Sequence, residues 1–255
     1  MKSKVINSFL EEVGDISRFS GRFFIELFRT RFEFKEFLRQ CFYIGNKSIG
    51  LVIITAFIMG LVITIQSRPT LVEFGAEAWL PKMVSVSLIR EIAPVITALI
   101  CAGKIGSGIG AELGSMKVTE QIDAMDVSGT NPYKYLVVTR VMATTLMIPI
   151  LVMLADAISL YGAYLGSNIH GVVSWSLFWN QVFDTIVYND ITPSILKTYF
   201  FGFTIGIIGC YKGFNSKKGT EGVGQSANSA VVISSLLVFV IDLLAVQITD
   251  VLNLN

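Results

Sequence analysis

Apolar residues in this chain are collected into five long runs, each separated from the next by a polar connection. The runs cover about 45–66, 86–106, 135–166, 193–211 and 225–248. A membrane-spanning helix needs roughly 20 mainly apolar residues, so each run is long enough to cross a bilayer. The third run exceeds one straight span and contains Pro149, which predicts a bend. The pattern therefore predicts an all-α integral membrane protein with five transmembrane helices.

The composition agrees with this pattern, since 53% of the 255 residues are hydrophobic and only 15% are charged. Soluble domains carry about 25% charged residues. The three cysteines are scattered and His170 is the single histidine, so we expect neither a disulfide framework nor a metal site. No nucleophile and base stand in a catalytic pattern, so we expect no catalytic residue and no cofactor in this chain.

Lysine and arginine are distributed unevenly among the connections. Nine precede Ser48, whereas the connection 167–192 and the tail after Ile248 have none. Cytoplasmic connections of membrane proteins are enriched in these two residues. The distribution predicts a cytoplasmic N-terminus and a C-terminus on the outer side of the membrane.

The N-terminal region, residues 1–44, mixes apolar and cationic positions. Phe23 and Leu27 alternate with Arg18, Arg22 and Arg29, and this alternation interrupts the apolar residues too often for a signal peptide. It favours a helix that lies in the cytoplasmic membrane interface with its cations near anionic headgroups. A solvated basic segment is the alternative. We expect 45–255 to form the five-span domain.

Small residues recur at every fourth position near the end of the second run, at Ala102, Gly106, Gly110 and Gly114. They share one helix face, and small residues at this spacing let two helices approach closely. The stretch GSGIGAELG superficially resembles a dinucleotide loop, but its spacing is wrong and a membrane helix precedes it. We therefore assign these glycines to helix packing.

A second stretch, 219–226, has the spacing of a phosphate-binding P-loop. Gln225 stands at the position of the lysine that contacts the β- and γ-phosphates. The chain is therefore not expected to bind ATP itself.

A short amphipathic helix is predicted at about 116–128, between the second and third runs. The apolar face comprises Val118, Ile122 and Met125, and the polar face comprises Glu120, Gln121, Asp123 and Asp126. Gly129 suits the helix end, and Asn131-Pro132 prevents its continuation. The charge distribution places this helix in the cytoplasm. Its spacing alone fits a solvated connector as well as a docking element.

Several charged residues fall inside the apolar runs, where charge is costly and usually faces a bundle interior or a cavity. Arg90 and Glu91 lie near the outer end of the second span, where Pro94 is expected to widen the helix. Asp156 and Asp242 lie in the third and fifth spans and are read either as a proton relay or as structural partners.

Lys197, in the fourth run, is expected to extend its ammonium group to the outer interface.

The chain resembles the MlaE family of ABC-transporter permeases from bacterial lipid-trafficking systems. The matching stretches are GLVITIQ, REIAPVITALICAGKIGSGIGAELGSMKVTEQIDAM, NPYKYLVVTRVMA and GCYKGFNSKKGTEGVGQSANSAVV. The likeness covers roughly residues 40–250. Lys104 and Thr139 depart from the arginine and proline that the family commonly has there, and Ser67-Arg68 replaces a usual Gly-Tyr.

The resemblance implies a homodimeric permease in the bacterial inner membrane that moves phospholipid and is not itself an enzyme. ATP and magnesium would be bound by a cytoplasmic ABC ATPase dimer. A STAS-domain protein is a possible further subunit, and an MCE-domain substrate-binding protein would sit on the periplasmic face. Nucleic acid is not an expected partner. A proton-coupled secondary transporter that uses Asp156 and Asp242 is the alternative, although such transporters normally show inverted repeats.

The resemblance also implies roles for individual residues. The coupling helix that docks into the ATPase would present Glu120, Gln121, Asp123 and Met125. The lipid cavity and its outer gate would involve Arg90, Glu91, Leu61 and Gln66.

Overall fold

The computed structural model describes residues 2–29, 32–169, 171 and 173–252, and His170 lies outside these ranges. The α-helices are α1 (Lys2–Arg29), α2 (Phe34–Glu73), α3 (Leu80–Ser87), α4 (Ala93–Cys101), α5 (Ser107–Val118), α6 (Gln121–Val127), α7 (Thr139–Ser167), α8 (Trp175–Thr185), α9 (Tyr188–Phe214) and α10 (Thr220–Val251). A 3₁₀ turn, Glu77–Trp79, precedes α3. The π-helical segments Leu88–Ile92, Ala102–Gly106 and Tyr133–Val138 lead into α4, α5 and α7.

Within the described part of the chain, five helical stretches are long and apolar enough to cross a membrane. They are Phe34–Glu73, Glu77–Val118, Tyr133–Ser167, Tyr188–Phe214 and Thr220–Val251. Each contains one of the runs predicted from the sequence, so the all-α, five-span prediction is confirmed. The first stretch begins earlier than expected, because residues 34–44 belong to the same helix as the first span.

The chain divides into two compact units. The first unit comprises Met1–Ile44, Ala102–Thr144 and Phe203–Ser235. The second unit comprises Gly45–Cys101, Thr145–Gly202 and Leu236–Asn255. Several spanning helices contribute one segment to each unit, so the units are not consecutive pieces of sequence.

In the first unit, α1 is attached to the segment that begins α7. The Tyr133 hydroxyl donates a hydrogen bond to the Phe19 carbonyl, and the Arg22 guanidinium lies 4.5 Å from the centre of the Tyr133 ring. Asn131 Nδ2 donates to Glu26 Oε2 at 3.0 Å. One face of α1 is thus held by polar and aromatic contacts. Further apolar side chains of α1 are left exposed, at Leu10, Val13, Phe24, Ile25 and Phe28.

Small residues bring α5, α9 and α10 close together in the same unit. A Cβ atom on Gly110 would lie 3.2 Å from the Ser226 carbonyl oxygen, and one on Gly213 would lie 2.9 Å from the Gly110 carbonyl oxygen. Gly106 and Gly114 also face neighbouring helices and connections, with nearest side-chain atoms at 3.6 and 3.3 Å from a built Cβ. The structure thus places the predicted glycine ladder in helix contacts within the chain.

In the second unit, α3 and the π-helical segment after it pack against α7 and α8. The buried apolar side chains of this cluster are Leu80, Val84, Leu88, Ile89, Leu160, Ala163, Phe178 and Val182. Close backbone contact between α2 and α7 depends on Gly162, where a Cβ would clash with the Phe57 carbonyl oxygen and lie 3.3 Å from Leu61 N. Glycine is required there because backbone atoms occupy the space of a side chain.

Two prolines were expected to distort spanning helices. The π-helical segment Leu88–Ile92 ends two residues before Pro94, which has no N–H to donate to the Arg90 carbonyl. A π turn is wider than an α turn, so the expected widening is present at this point. By contrast, α7 continues through Pro149 without a break in helical structure.

Candidate functional site

Three charged side chains from three spanning helices meet in the second unit. Lys197 on α9 donates to Glu91 Oε2 at 2.7 Å and to Asp242 Oδ1 at 2.8 Å. The Lys197 side chain is only 4% exposed, while those of Glu91 and Asp242 are 44% and 19% exposed. A buried ammonium between two carboxylates is satisfied electrostatically, so this triad ties the second, fourth and fifth spans together.

The expectation that Lys197 extends to the outer interface is therefore wrong. The apolar stem can carry an ammonium toward water when no partner is nearby. Here Glu91 and Asp242 lie within hydrogen-bonding distance and hold the ammonium inside the unit.

A second ion pair lies beside the triad. Arg90 Nε is 2.6 Å from Asp190 Oδ1, and the backbone N–H of Val187 donates to the other carboxylate oxygen at 2.9 Å. The Ser194 hydroxyl donates to the Ile89 carbonyl at 2.7 Å, which lies within the π-helical segment. These bonds fix the start of α9 against the widened part of the second span.

Members of both ion-paired groups line one cleft of about 160 Å³. Its charged lining residues include Arg90, Glu91, Asp190 and Lys197, and α10 contributes Ala245, Val246 and Thr249 to the lining. A cleft lined by both charged and aliphatic groups suits an amphiphilic molecule better than an ion, which requires a ring of carbonyls or charges.

Asp156, the remaining acidic residue predicted inside a span, lies in α7 and interacts electrostatically with Lys197. Its Oδ1 atom is buried and accepts no hydrogen bond from the described residues. Asp242, in contrast, is directly paired with Lys197. The contacts of Asp242 match the structural-pairing interpretation, and Asp156 is the residue that the pairing leaves incompletely satisfied.

The other two residues assigned to the cavity lie elsewhere in the second unit. Leu61 is half-buried on α2, with its backbone against Gly162 and Gly166 of α7. Gln66 is exposed near the C-terminal end of α2. Neither is among the residues that line the cleft, so the structure does not bring them together with Arg90 and Glu91.

The polar element between the second and third spans, in the first unit, is shorter than predicted. The helix expected at 116–128 is divided, since α5 ends at Val118 and α6 begins at Gln121. Glu120 stands between them with φ of 60°, a left-handed conformation that interrupts a helix. Lys117 Nζ, at the end of α5, bonds Asp123 Oδ1 of α6 at 2.8 Å and spans the turn.

The side chains of α6 are divided between interior and solvent. Ile122 is buried and Met125 is half-buried, while Glu120, Gln121 and Asp123 are exposed. Beside α6 lies a cleft of about 380 Å³, whose lining includes Ile122, Asp123, Arg22 and Tyr133. The helix thus presents an acidic edge and a recess to the surroundings while its apolar face is anchored.

One buried contact near this element was not predicted. The Arg140 side chain is 3% exposed and donates to Glu112 Oε1 at 2.9 Å and to the Leu136 carbonyl at 3.0 Å. It links α5 to the start of α7, on either side of α6. The only sequence signal was a pair of opposite charges inside apolar surroundings, which does not show that the two side chains meet.

Comparison with known proteins gives a consistent result. Residues 37–248 match the family described as permease MlaE. A probable ABC transporter permease protein from Rickettsia felis is 36% identical over 240 residues, covering 94% of this chain and 93% of the relative. A probable ABC transporter permease protein from Synechocystis is 37% identical over 221 residues, covering 87% and 84%. The chloroplastic protein TRIGALACTOSYLDIACYLGLYCEROL 1 from Arabidopsis thaliana is 30% identical over 223 residues, covering 88% and 64%.

Proposed function

The chain belongs to the MlaE permease family, and we propose on that basis that it moves phospholipid with energy from ATP hydrolysed by a separate subunit. As an ABC transporter permease subunit it is a multi-pass membrane protein and not itself an enzyme. The family implies an ATPase partner. The cargo, the docking element and the remaining subunits are the parts that we propose.

The amphiphilic lining of the cleft supports a lipid cargo. Arg90 and Glu91 provide polar groups for a headgroup, and Ala245 and Val246 of α10 provide aliphatic surface for acyl chains. Both cations of the cleft are already bound to carboxylates, so no open ring of charge is left to strip water from a small ion. The name of the Arabidopsis relative contains that of a galactolipid, which agrees with a lipid class of cargo.

The exposed acidic edge of α6 is the observation that carries the coupling part of the proposal. It lies between the second and third spanning helices and presents Glu120, Gln121 and Asp123 outside the membrane-spanning segments, next to the half-buried Met125. The P-loop-like stretch, 219–226, lacks the lysine that contacts the phosphates and leads into α10, so the chain is not expected to bind ATP itself. It therefore needs a docking element for a separate ATPase. We therefore assign docking of the ATPase to α6.

Reversing the charge of this edge tests the assignment. The double variant Glu120→Lys, Asp123→Lys should abolish stimulation of the ATPase by the permease while the permease still folds and self-associates. The matched control is Glu73→Lys, Asp184→Lys, which makes the same charge change at two other exposed positions and should leave stimulation unchanged. Wild-type stimulation in the α6 variant would refute the coupling role.

The proposal includes a second copy of the chain. The most apolar windows of the first and fifth spans are only 28% and 17% buried, compared with 44–56% for the other three. A lipid path must be enclosed on all sides. In a homodimer, the exposed apolar surfaces of the first and fifth spans would complete this enclosure. An MCE-domain protein on the periplasmic face and a STAS-domain protein in the cytoplasm would complete the assembly.

The distribution of lysine and arginine supports an orientation with the N-terminus in the cytoplasm and the C-terminus in the periplasm. The proposed location is the bacterial inner membrane, with α6 on the cytoplasmic side, toward the ATPase.

The unpaired Oδ1 atom of Asp156 favours one competing function, a proton-coupled secondary transporter. A secondary transporter of this kind would transport its cargo without ATP. Its transport would be lost when Asp156 or Asp242 is replaced by asparagine. Transport that stops on removal of ATP excludes it.

A further inference from the structure

Helix α8 follows the third span and was not anticipated from the sequence. Ser174 caps it, since its hydroxyl oxygen accepts a hydrogen bond from the Leu177 N–H at 3.3 Å. Phe178 and Val182 on one face are buried in the core of the second unit. The helix is thus held firmly by one side, and its other surfaces are left to the surroundings.

An aromatic stripe runs along α8 beside its buried face. Trp175, Trp179 and Phe183 follow one another at four-residue spacing, with ring centres 5.4 Å and 5.6 Å apart. Trp175 and Phe183 are exposed. A polar edge runs parallel to the stripe and comprises the exposed residues Ser176, Asn180 and Asp184. The helix therefore separates an aromatic surface from a polar one over its whole length.

The stripe continues onto a spanning helix. Trp175 contacts Tyr164 and Tyr161 of α7, with ring centres 4.8 Å and 6.5 Å apart. Tyr161 is 43% exposed, although it lies within the third membrane-spanning stretch. The aromatic surface of α8 is thus continuous with an exposed surface of the third membrane-spanning stretch.

All three tryptophans of the chain lie in two connections. Trp79 belongs to the turn after the first span, and Trp175 and Trp179 belong to α8 after the third span. Connections after the first and third of consecutive spans lie on the same side of a membrane, whichever way the chain is inserted. Tryptophan and tyrosine are enriched at membrane–water interfaces, where one end of the ring is apolar and the other meets water.

We propose that α8 is an interfacial helix embedded in the leaflet on the side of these two connections, with the aromatic stripe toward the acyl chains and the polar edge toward water. The occupant of the exposed aromatic surface is therefore the lipid surface itself. The connection 167–192 has no lysine or arginine, so the attachment is by aromatic burial and not by attraction to anionic headgroups.

An interfacial position of α8 also determines the depth of the cleft in the membrane. Only the role of the cleft in admitting a lipid rests on the proposed function. Two residues, Ile186 and Val187, join the end of α8 to the start of α9. Val187 N–H is bonded to Asp190, which holds Arg90 at the cleft. An interfacial α8 fixes the cleft at the level of the headgroups, where an amphiphile can enter it without leaving the membrane.

Tryptophan fluorescence in proteoliposomes tests the location of α8 without any transport assay. The variant Trp79→Phe, Trp179→Phe retains Trp175 alone. In vesicles of phosphatidylcholine brominated near the carbonyl end of its chains, the emission of Trp175 should be strongly quenched, as expected for a ring at the interface. Aqueous acrylamide should quench it only weakly.

A tryptophan on the polar edge provides the matched control. Asn180→Trp in a chain whose three native tryptophans are phenylalanine should show strong quenching by acrylamide and little by brominated lipid, whereas Phe183→Trp in the same background should behave as Trp175 does.

Two results would overturn the proposal. In the first, acrylamide quenches Trp175 as strongly as the tryptophan of Asn180→Trp, and brominated lipid does not quench it. This result would place the stripe in water. In the second, Trp175 becomes protected from acrylamide only when co-purified subunits are added, and brominated lipid does not quench it. This result would show that a protein covers the stripe. Either result leaves ATP-driven transport and its assay unaffected.

Discussion

The Nζ atom of Lys197 lies 2.8 Å from the Oδ1 atom of Asp242, so a buried ammonium on the fourth span is bound to a carboxylate on the fifth. Glu91 of the second span completes the arrangement at 2.7 Å. Removal of the ammonium would leave two carboxylates facing each other without a cation. The three spans around the cleft therefore depend on one lysine.

Replacement of this lysine should destabilise the fold. Lys197→Met is expected to lower the free energy of unfolding by about 3 kcal/mol, the lower end for a broken buried pair, since Glu91 remains partly exposed. Thermal unfolding in detergent measures the change. The triple variant Lys197→Met, Glu91→Gln, Asp242→Asn should recover most of the loss, because no uncompensated charge remains. A single variant as stable as wild type would contradict the account of the triad.

The close contact between α2 and α7 should not tolerate a methyl group. Gly162→Ala is expected to cost about 1–3 kcal/mol, because the new Cβ would overlap the Phe57 carbonyl oxygen and backbone would have to shift. Gly50→Ala is the matched control, since a Cβ there has nothing within 4 Å. Thermal unfolding of the two variants should differ clearly. Equal stability would show that the two helices do not approach as closely as described.

Variants of Glu120, which has a left-handed conformation before α6, distinguish an effect on stability from an effect on coupling. Glu120→Gly should raise stability by about 1 kcal/mol, because glycine adopts positive φ without steric cost. Glu120→Ala removes the same carboxylate but keeps the strained conformation. Both variants should lose ATPase stimulation if the carboxylate docks the partner, and only the glycine variant should be stabilised. Full stimulation in both would show that the carboxylate has no part in coupling.

Tyr133 should control the attachment of α1. Tyr133→Phe removes the hydroxyl that bonds the Phe19 carbonyl and should cost about 1 kcal/mol locally. Hydrogen exchange of the α1 amides should then accelerate about five-fold, whereas Tyr188→Phe, at an exposed position, should leave it unchanged. Unaltered exchange in the Tyr133 variant would mean that the other α1 contacts suffice.

The sequence was most informative for features that depend on the residues of a single helix. Apolar runs located all five spans, and Pro94 indicated the widening that the structure shows at Leu88–Ile92. The break at Glu120 was missed because the apolar positions Val118, Ile122 and Met125 continue through it at helical spacing. Helix α8 had a usable signal in its Ser174 cap and in Phe178 and Val182 at four-residue spacing.

Contacts between helices were beyond reach of a single sequence. Lys197 was expected at the interface because nothing along the chain shows that Glu91 and Asp242 are its neighbours. Arg140 and Glu112, 28 residues apart, were missed for the same reason. Such pairs depend on which spans pack together, and five similar apolar helices allow many arrangements.

Co-purification from native membranes tests the central claim most directly. The tagged chain is extracted into lipid nanodiscs without denaturing detergent, and the subunits and lipids that remain bound are identified by mass spectrometry. A lipid permease driven by a partner predicts an ABC ATPase subunit in equimolar amount and phospholipid enriched above that of empty nanodiscs. A permease that carries neither ATPase nor enriched lipid, in nanodiscs that retain its self-association, would contradict the account.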